Sequence, residues 1–160
     1  MNKESDPSDR KSLVLINQWA GYLWVDIANA ALAYYDEVTL LTATQDLREK
    51  GVSDKIIVKY IPRYNRKTLL SRALTWTTGF VFSAFYILLR KRRADYLLST
   101  NPPLLSLLIG MNSGRSAVYI MDLYPQALVD CDLISKNNPL YWVWKKLNTY
   151  SYKKAAQLYC

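Results

Sequence analysis

Two short stretches combine residue types and spacing that can do chemistry: Asn101-Pro102-Pro103 and Asp122-Leu123-Tyr124-Pro125. Each follows an apolar, β-prone run, YLLST before the first and VYIM before the second. An aspartate at the end of a buried strand can act as general base toward a hydroxyl group within hydrogen-bond reach. The same residue can instead cap the turn after it, with Pro125 merely stiffening that turn. Local sequence weighs the two readings equally. Asn101 has a similar double reading. It can N-cap a short helix with Pro102 at the first position. Its loop can also face a phosphate with backbone N–H groups, although the two prolines donate none.

Much other chemistry is excluded. Histidine is absent, which removes His-based triads, His general bases and His-ligated metals. Cys131 and Cys160 form no CxxC pair, and so few cysteines point to a reducing compartment. The five glycines, Gly21, Gly51, Gly79, Gly110 and Gly114, fit neither GxGxxG nor GxxxxGK. No metal site and no bound cofactor are read from the sequence. The formal charge of +8 calls for an anionic partner: nucleic acid, acidic lipid or a phosphorylated substrate. Lys and Arg are scattered over several segments rather than set on one stripe, so nucleic acid is not expected. The polar start MNKESDPSDRK has no apolar segment of signal-peptide type behind it, so no cleaved leader is expected.

The elements that position the two stretches follow from pattern. The 160 residues suffice for one domain with a real core. Residues 1–11 read as a solvated tail and 12–160 as the domain. Short apolar runs predict strands at Ser12–Asn17, Glu37–Ala43, Lys55–Ile61, Ala94–Thr100 and Ser116–Asp122, with a further strand beginning in AAQLYC. Helices are predicted over Tyr22–Tyr35, Thr68–Arg92 and from the Asn138-Pro139 cap to about Lys154. Strands alternating with helices give an α/β fold with a mostly parallel sheet, except that Thr44–Asp54 is a loop. In such sheets ligands bind outside the carboxyl ends of the strands, where Asn101 and Asp122 fall.

Two helices have apolar patterns that need an environment. Ala73–Leu89 carries no charge and is apolar on all sides. Such a helix is either buried or in lipid. A core helix with an apolar outer edge is the expectation, ahead of an interfacial helix and of a span, because the stretch is at the lower limit for a span and Ser, Thr and Gly dilute it. Arg90, Lys91, Arg92 and Arg93 are expected to contact anionic headgroups, the plainer alternative being a solvated helix C-terminus favoured by its dipole. In the last helix Leu140, Val143, Trp144, Leu147 and Tyr150 form one face, expected to be core. Tyr141, Trp142, Lys145, Lys146, Lys153 and Lys154 fall elsewhere, on an expected solvated face.

LVLINQWAGYLW, YLLSTNPPLLSLL, YIMDLYPQALV and YSYKKAAQLYC together resemble the N-terminal half of a family-4 glycosyltransferase, of the bacterial type that assembles exopolysaccharide, O-antigen or capsule. The resemblance runs from Leu13 almost to the end. It implies the N-terminal, acceptor-binding half of a GT-B fold, a Rossmann-like three-layer sandwich. The donor-binding C-terminal domain lies outside these residues, so the chain is expected to be inactive alone. Transfer in this family retains configuration and is metal-independent. The partners implied are a nucleotide-sugar as co-substrate and a lipid-linked or glycan acceptor. The implied place is the cytoplasmic face of the plasma membrane, held peripherally. By position, Asp122 matches the family's cleft-edge aspartate, the catalytic candidate here. Asn101, Pro102, Pro103 and Tyr124 fall beside the acceptor, and Gln18, Trp19 and Gly21 in the loop below the donor phosphates. That loop has Gly21 alone where many relatives have a Gly-Gly pair. The rival reading is a non-enzymatic membrane-surface module, built on the same basic and aromatic helices.

Overall fold

The structure, a computed structural model, describes residues 11–65, 67–90, 93–111 and 114–160. Ser12–Ile16 forms β1, buried along its whole length. β1 lies inside the sheet, and a parallel strand covered on both faces needs no polar side. Around it lie β2 (Glu37–Thr42), β3 (Ile57–Tyr60), β4 (Asp95–Ser99), β5 (Ser116–Tyr119) and β6 (Gln157–Tyr159). The six strands run in the order β3-β2-β1-β4-β5-β6, every pair parallel. This is the expected Rossmann-like α/β architecture. The strand order reverses between β1 and β4, where a doubly wound sheet opens its ligand crevice.

Helix α1 (Tyr22–Ala31) covers one face through Trp24, Val25 and Ala28, which pack with Leu15, Val38 and Leu40. The β2–β3 connection is a loop, as expected, and it tucks Leu47, Val52 and Ile56 into this layer. The other face carries α2 (Leu69–Leu89), a 3-10 turn (Leu105–Leu108) and α4 (Pro139–Lys154), with short α3 (Gln126–Asp130) before α4. Ile87, Leu105 and Leu108 pack there on Val14, Leu98 and Val118, with Tyr152 at the margin. Among the described residues no helix covers the β4–β6 half of the face that carries α1. An open groove of about 490 Å³ lies there, lined by Leu97, Ala117, Tyr119, Gln157 and Tyr159 among others.

The helix ends are encoded locally. Thr68 and Ser71 form a reciprocal capping box at the start of α2. The Asn138 side chain accepts from the Leu140 amide and Pro139 opens α4, as the sequence predicts. Asn101 does not cap a helix. The 3-10 turn starts only at Leu105 and has no side-chain cap. Lys11, read as the end of a tail, is already fixed: its amide donates to Asp36 and its carbonyl accepts from Asp36 and Glu37.

Two expectations about burial fail. α2 is not a core helix. It buries only Gly79, Ser83 and Ile87, while Leu70 is 71% and Phe85 60% exposed. The helix meets the sheet along this narrow stripe at i, i+4 spacing and turns most of its apolar surface outward. α4 is rotated relative to expectation. Tyr141, Asn148 and Ser151 are buried, whereas Leu140, Val143, Leu147 and Tyr150 are exposed. Asn148 fixes that rotation. Its amide donates to the Tyr124 carbonyl at 2.8 Å, and its side-chain oxygen accepts from Ser106 Oγ at 3.3 Å. Turning the apolar stripe inward would take this partner from the Tyr124 carbonyl and the Ser106 hydroxyl, at about 1–3 kcal/mol each.

Candidate functional site at the carboxyl edge of the sheet

The two proline-marked stretches meet at the carboxyl edge of β4 and β5. The Asn101 carbonyl accepts from the Gln18 amide at 2.9 Å, which ties the loop after β4 to the loop after β1. Ser99 Oγ accepts from the Asn101 amide and donates to the Asn101 carbonyl, holding a tight turn. The bonds from Asn101 to Pro102 and from Tyr124 to Pro125 are both cis. β5 ends at Tyr119, earlier than predicted, and Asp122 stands on the exposed loop beyond it. The hydroxyl of Thr100 accepts from the amides of both Met121 and Asp122. Among the described residues no side-chain hydrogen bond occupies the Asp122 carboxyl group. Of its two sequence readings, turn-capping is therefore the weaker.

A pocket of about 260 Å³ opens here, lined by Tyr64, Arg72, Trp76, Asn101, Asp122 and Tyr124. Three of these, Asn101, Asp122 and Tyr124, are expected from the sequence. Tyr64 comes from the loop after β3, and Arg72 and Trp76 lie one helical turn apart on α2. Sequence reasoning missed these three. The available signals were Tyr64's place just past a strand end and the i, i+4 spacing of Arg72 and Trp76.

An aromatic series forms the wall. Tyr64 stacks on Trp76 with centroids 5.8 Å apart, Trp76 meets Tyr124 edge-on at 5.7 Å, and Tyr124 stacks on Trp144 at 5.8 Å. Burial pushes the Tyr124 phenol up to about 12, reinforced by the negative charge of Asp122. At neutral pH Tyr124 is therefore a hydrogen-bond donor and not a base. The pocket combines a carboxyl group, a guanidinium, an amide and flat aromatic surfaces. That set can orient a polyhydroxylated ring, accept a proton from one of its hydroxyls and attract an attached anion.

The other sequence candidates lie around the pocket in different roles. Pro102 and Pro103 are buried and shape the turn behind Asn101. Gln18 is fully buried, and its side-chain amide donates to the carbonyls of Thr75 on α2 and of Pro62 in the loop after β3. It ties the β1 loop to the pocket wall rather than presenting its side chain to a ligand. Trp19 is half exposed, and its amide donates to the Asn17 side chain. Gly21 is the N-cap of α1 with open space around it. Arg90 is turned into the domain, to Glu37 at 2.5 Å and Ser12 at 2.6 Å, with its side chain 13% exposed. It therefore does not face headgroups. Arg93 is exposed, and Lys91 and Arg92 lie outside the described residues.

No protein-family model matches the chain, and no curated protein matches it. Solved structures do. A UDP-glucosyltransferase from Polygonum tinctorium, solved as the complex between an enzyme capable of glucosylating indoxyl and 3,4-dichloroaniline, aligns with a TM-score of 0.54 at 10% identity. The alignment covers 96% of this chain and 47% of that one. A UGT transferase from Siraitia grosvenorii in complex with UDP aligns with a TM-score of 0.49 at 12% identity, over 68% of this chain and 28% of that one. The chain thus spans less than half the length of these structures. What the first of them shares with it is the Rossmann-like α/β fold.

Proposed function

We propose that this domain is the acceptor-binding half of a GT-B glycosyltransferase that moves a sugar from a nucleotide-sugar to a lipid-linked or glycan acceptor in cell-surface polysaccharide synthesis. The observation that carries the reading is the pocket uniting Asp122, Asn101 and Arg72 under the Tyr64–Trp76 wall at the carboxyl edge of the sheet. The shared fold with about half of a UDP-glucosyltransferase supports it, as does the spacing of NPP and DLYP. In this reading the acceptor ring stacks on the aromatic wall, and Arg72 attracts a phosphate attached to it. Asp122 accepts the proton of the attacking hydroxyl. The donor sits across the cleft on a second domain, which supplies the charge stabilisation that a departing nucleoside diphosphate needs. Transfer is retaining, the new bond to the acceptor oxygen forming on the face of the sugar from which the nucleoside diphosphate departs, and metal-independent, on the cytoplasmic face of the plasma membrane.

The test is transfer from labelled nucleotide-sugars to short-chain polyprenyl-diphosphate-linked sugars. The 160-residue chain alone should give no turnover, and the chain together with a donor-binding domain should give turnover. In the active form Asp122→Asn should lower turnover by about 10²–10⁴-fold with the fold intact. Near-normal turnover in that variant would remove Asp122 from the mechanism, and robust turnover by the chain alone would overturn the half-enzyme reading. A non-enzymatic membrane-surface module is the second reading. It is favoured by the exposed apolar faces of α2 and α4, and failure of every acceptor to be used would select it.

A further inference from the structure

We infer that α2 and α4 together form a surface that inserts in the plane of an anionic lipid bilayer, held chiefly by apolar side chains. Both helices lie on the same face of the sheet, so the sides they turn away from it point the same way. On α2 that outward side carries Leu70, Leu74 and Phe85, and on α4 it carries Val143, Leu147 and Tyr150, all exposed. Trp76, Tyr124 and Trp144 bridge the two helices beneath this surface. A soluble protein rarely turns two helical stripes of this kind to water on one face of its sheet.

Charge selects the occupant. α2 and α4 contain no acidic residue, and their cations are Arg72, Lys145, Lys146, Lys153 and Lys154. Lys145 lies over the Trp142 ring at 5.3 Å and Lys154 over the Tyr150 ring at 4.3 Å. Lys146 and Lys153 alternate with Val143 and Tyr150 along the outward stripe of α4, and such a mixture of cations, aromatic and apolar side chains suits the headgroup layer of an anionic membrane. α2 is long and apolar enough to cross a bilayer by length and composition. Its packing argues instead for lying flat. Gly79 sits directly against the buried Gln18 side chain, and Gln18 donates to the α2 backbone at Thr75. Withdrawing α2 into a span would break these contacts and bare the sheet.

The surface meets the proposed active site, because Arg72 and Trp76 of the pocket belong to α2. A headgroup carried by a lipid would reach the pocket from the bilayer in which that helix lies. This part rests on the glycosyltransferase reading; the lipid surface itself does not.

Flotation of the 160-residue chain with vesicles of phosphatidylcholine and phosphatidylglycerol, beside a vesicle-free control, tests the inference. The chain should float with anionic vesicles and keep most of its binding in about 1 M salt, where charge attraction is screened within about 3 Å. Leu74→Gln with Phe85→Gln should weaken partitioning at least about tenfold, as should Val143→Gln with Leu147→Gln. Far-UV circular dichroism should be unchanged, because all four side chains are exposed. Replacing the four α4 lysines by Gln should weaken binding at low salt and much less at high salt. Three results would overturn the inference: no flotation, complete loss in high salt with the Gln pairs behaving as wild type, or a dimer in sedimentation that the same pairs dissolve. Release only by detergent, with α2 protected from protease on both sides, would make α2 a span. These readouts report lipid partitioning, so they are independent of whether sugar transfer is found.

Discussion

The hydroxyl oxygen of Thr100 lies 3.1 Å from the amide nitrogen of Asp122 and 2.9 Å from that of Met121, so one side chain at the end of β4 holds the loop beyond β5. Thr100→Val keeps the shape and removes the acceptor, leaving two part-buried amides to find other partners. Stability should fall by about 1–2 kcal/mol, measured by urea unfolding. In a transfer-competent form, turnover should fall more than acceptor affinity, because the loop that aims Asp122 is loosened. Thr100→Ser keeps the oxygen and should recover most of both. Equal behaviour of Val and Ser would show that the hydroxyl does not position the loop.

Gly79 gives a second test. A Cβ there would sit 2.6 Å from Gln18 Nε2 and 2.8 Å from its amide carbon. Gly79→Ala would gain about 1 kcal/mol of helix propensity, but it would displace a buried amide that satisfies two carbonyls. The second effect is larger, and a net loss of about 1 kcal/mol is expected. In the Gln18→Ala background the space is free, and Gly79→Ala should turn neutral or stabilising. A thermal-melt double-mutant cycle with additive effects would sink this account.

Arg90 belongs to the fold. Its guanidinium bridges Ser12, Glu37 and Tyr86, and these hydrogen bonds hold it charged although burial works against the charge. Arg90→Gln leaves Glu37 part-buried without this partner and should cost about 2 kcal/mol in unfolding experiments. Vesicle binding by the folded variant should match wild type. A selective loss of vesicle binding at unchanged stability would return Arg90 to the membrane surface.

The raised Tyr124 phenol makes a pH prediction. Folded, it holds its proton up to about 12, against an ordinary value of 10.0, because burial and then Asp122 disfavour the phenolate. A group whose folded value is raised contributes stability that is present below the unfolded value and lost as pH rises through the folded one. The melting temperature should therefore fall between about pH 10 and pH 12. Tyr35, Tyr96 and Tyr152 are also raised, chiefly by burial, and add to that fall. Tyr124→Phe should flatten it in part. An unchanged alkaline slope in Tyr124→Phe would show that this phenol ionises as freely folded as unfolded.

The strands were legible because a parallel sheet buried on both faces writes itself as continuous apolar runs, and SLVLI and EVTLLT admit little else. The loops after β4 and β5 were legible from proline. Half of the pocket was not, because Arg72 and Trp76 enter it through the placement of α2 on the sheet, and Tyr64 through the loop after β3 that stacks on Trp76; both are tertiary relationships. The apolar stripe of α4 misled for a related reason. Periodicity shows that a helix has two sides but not which medium each side meets. What turned Val143 and Leu147 outward was Asn148, whose partners at Tyr124 and Ser106 lie far away in sequence.

The uncovered half of the sheet beside β6 governs how the purified chain behaves at high concentration. Among the described residues Gln157–Tyr159 is an outer strand paired on one side only, to β5, and the groove next to it exposes Tyr119 and Tyr159. An outer strand of this kind is a template for strand addition by another molecule. A formal charge of +8 keeps such molecules apart while its repulsion is felt, and added salt shortens the reach of that repulsion. Colloidal stability should therefore decline as ionic strength rises, the reverse of a protein whose aggregates are held by opposite charges. Light scattering across a salt series reads this directly, and a lysine placed at Leu158 should suppress the rise.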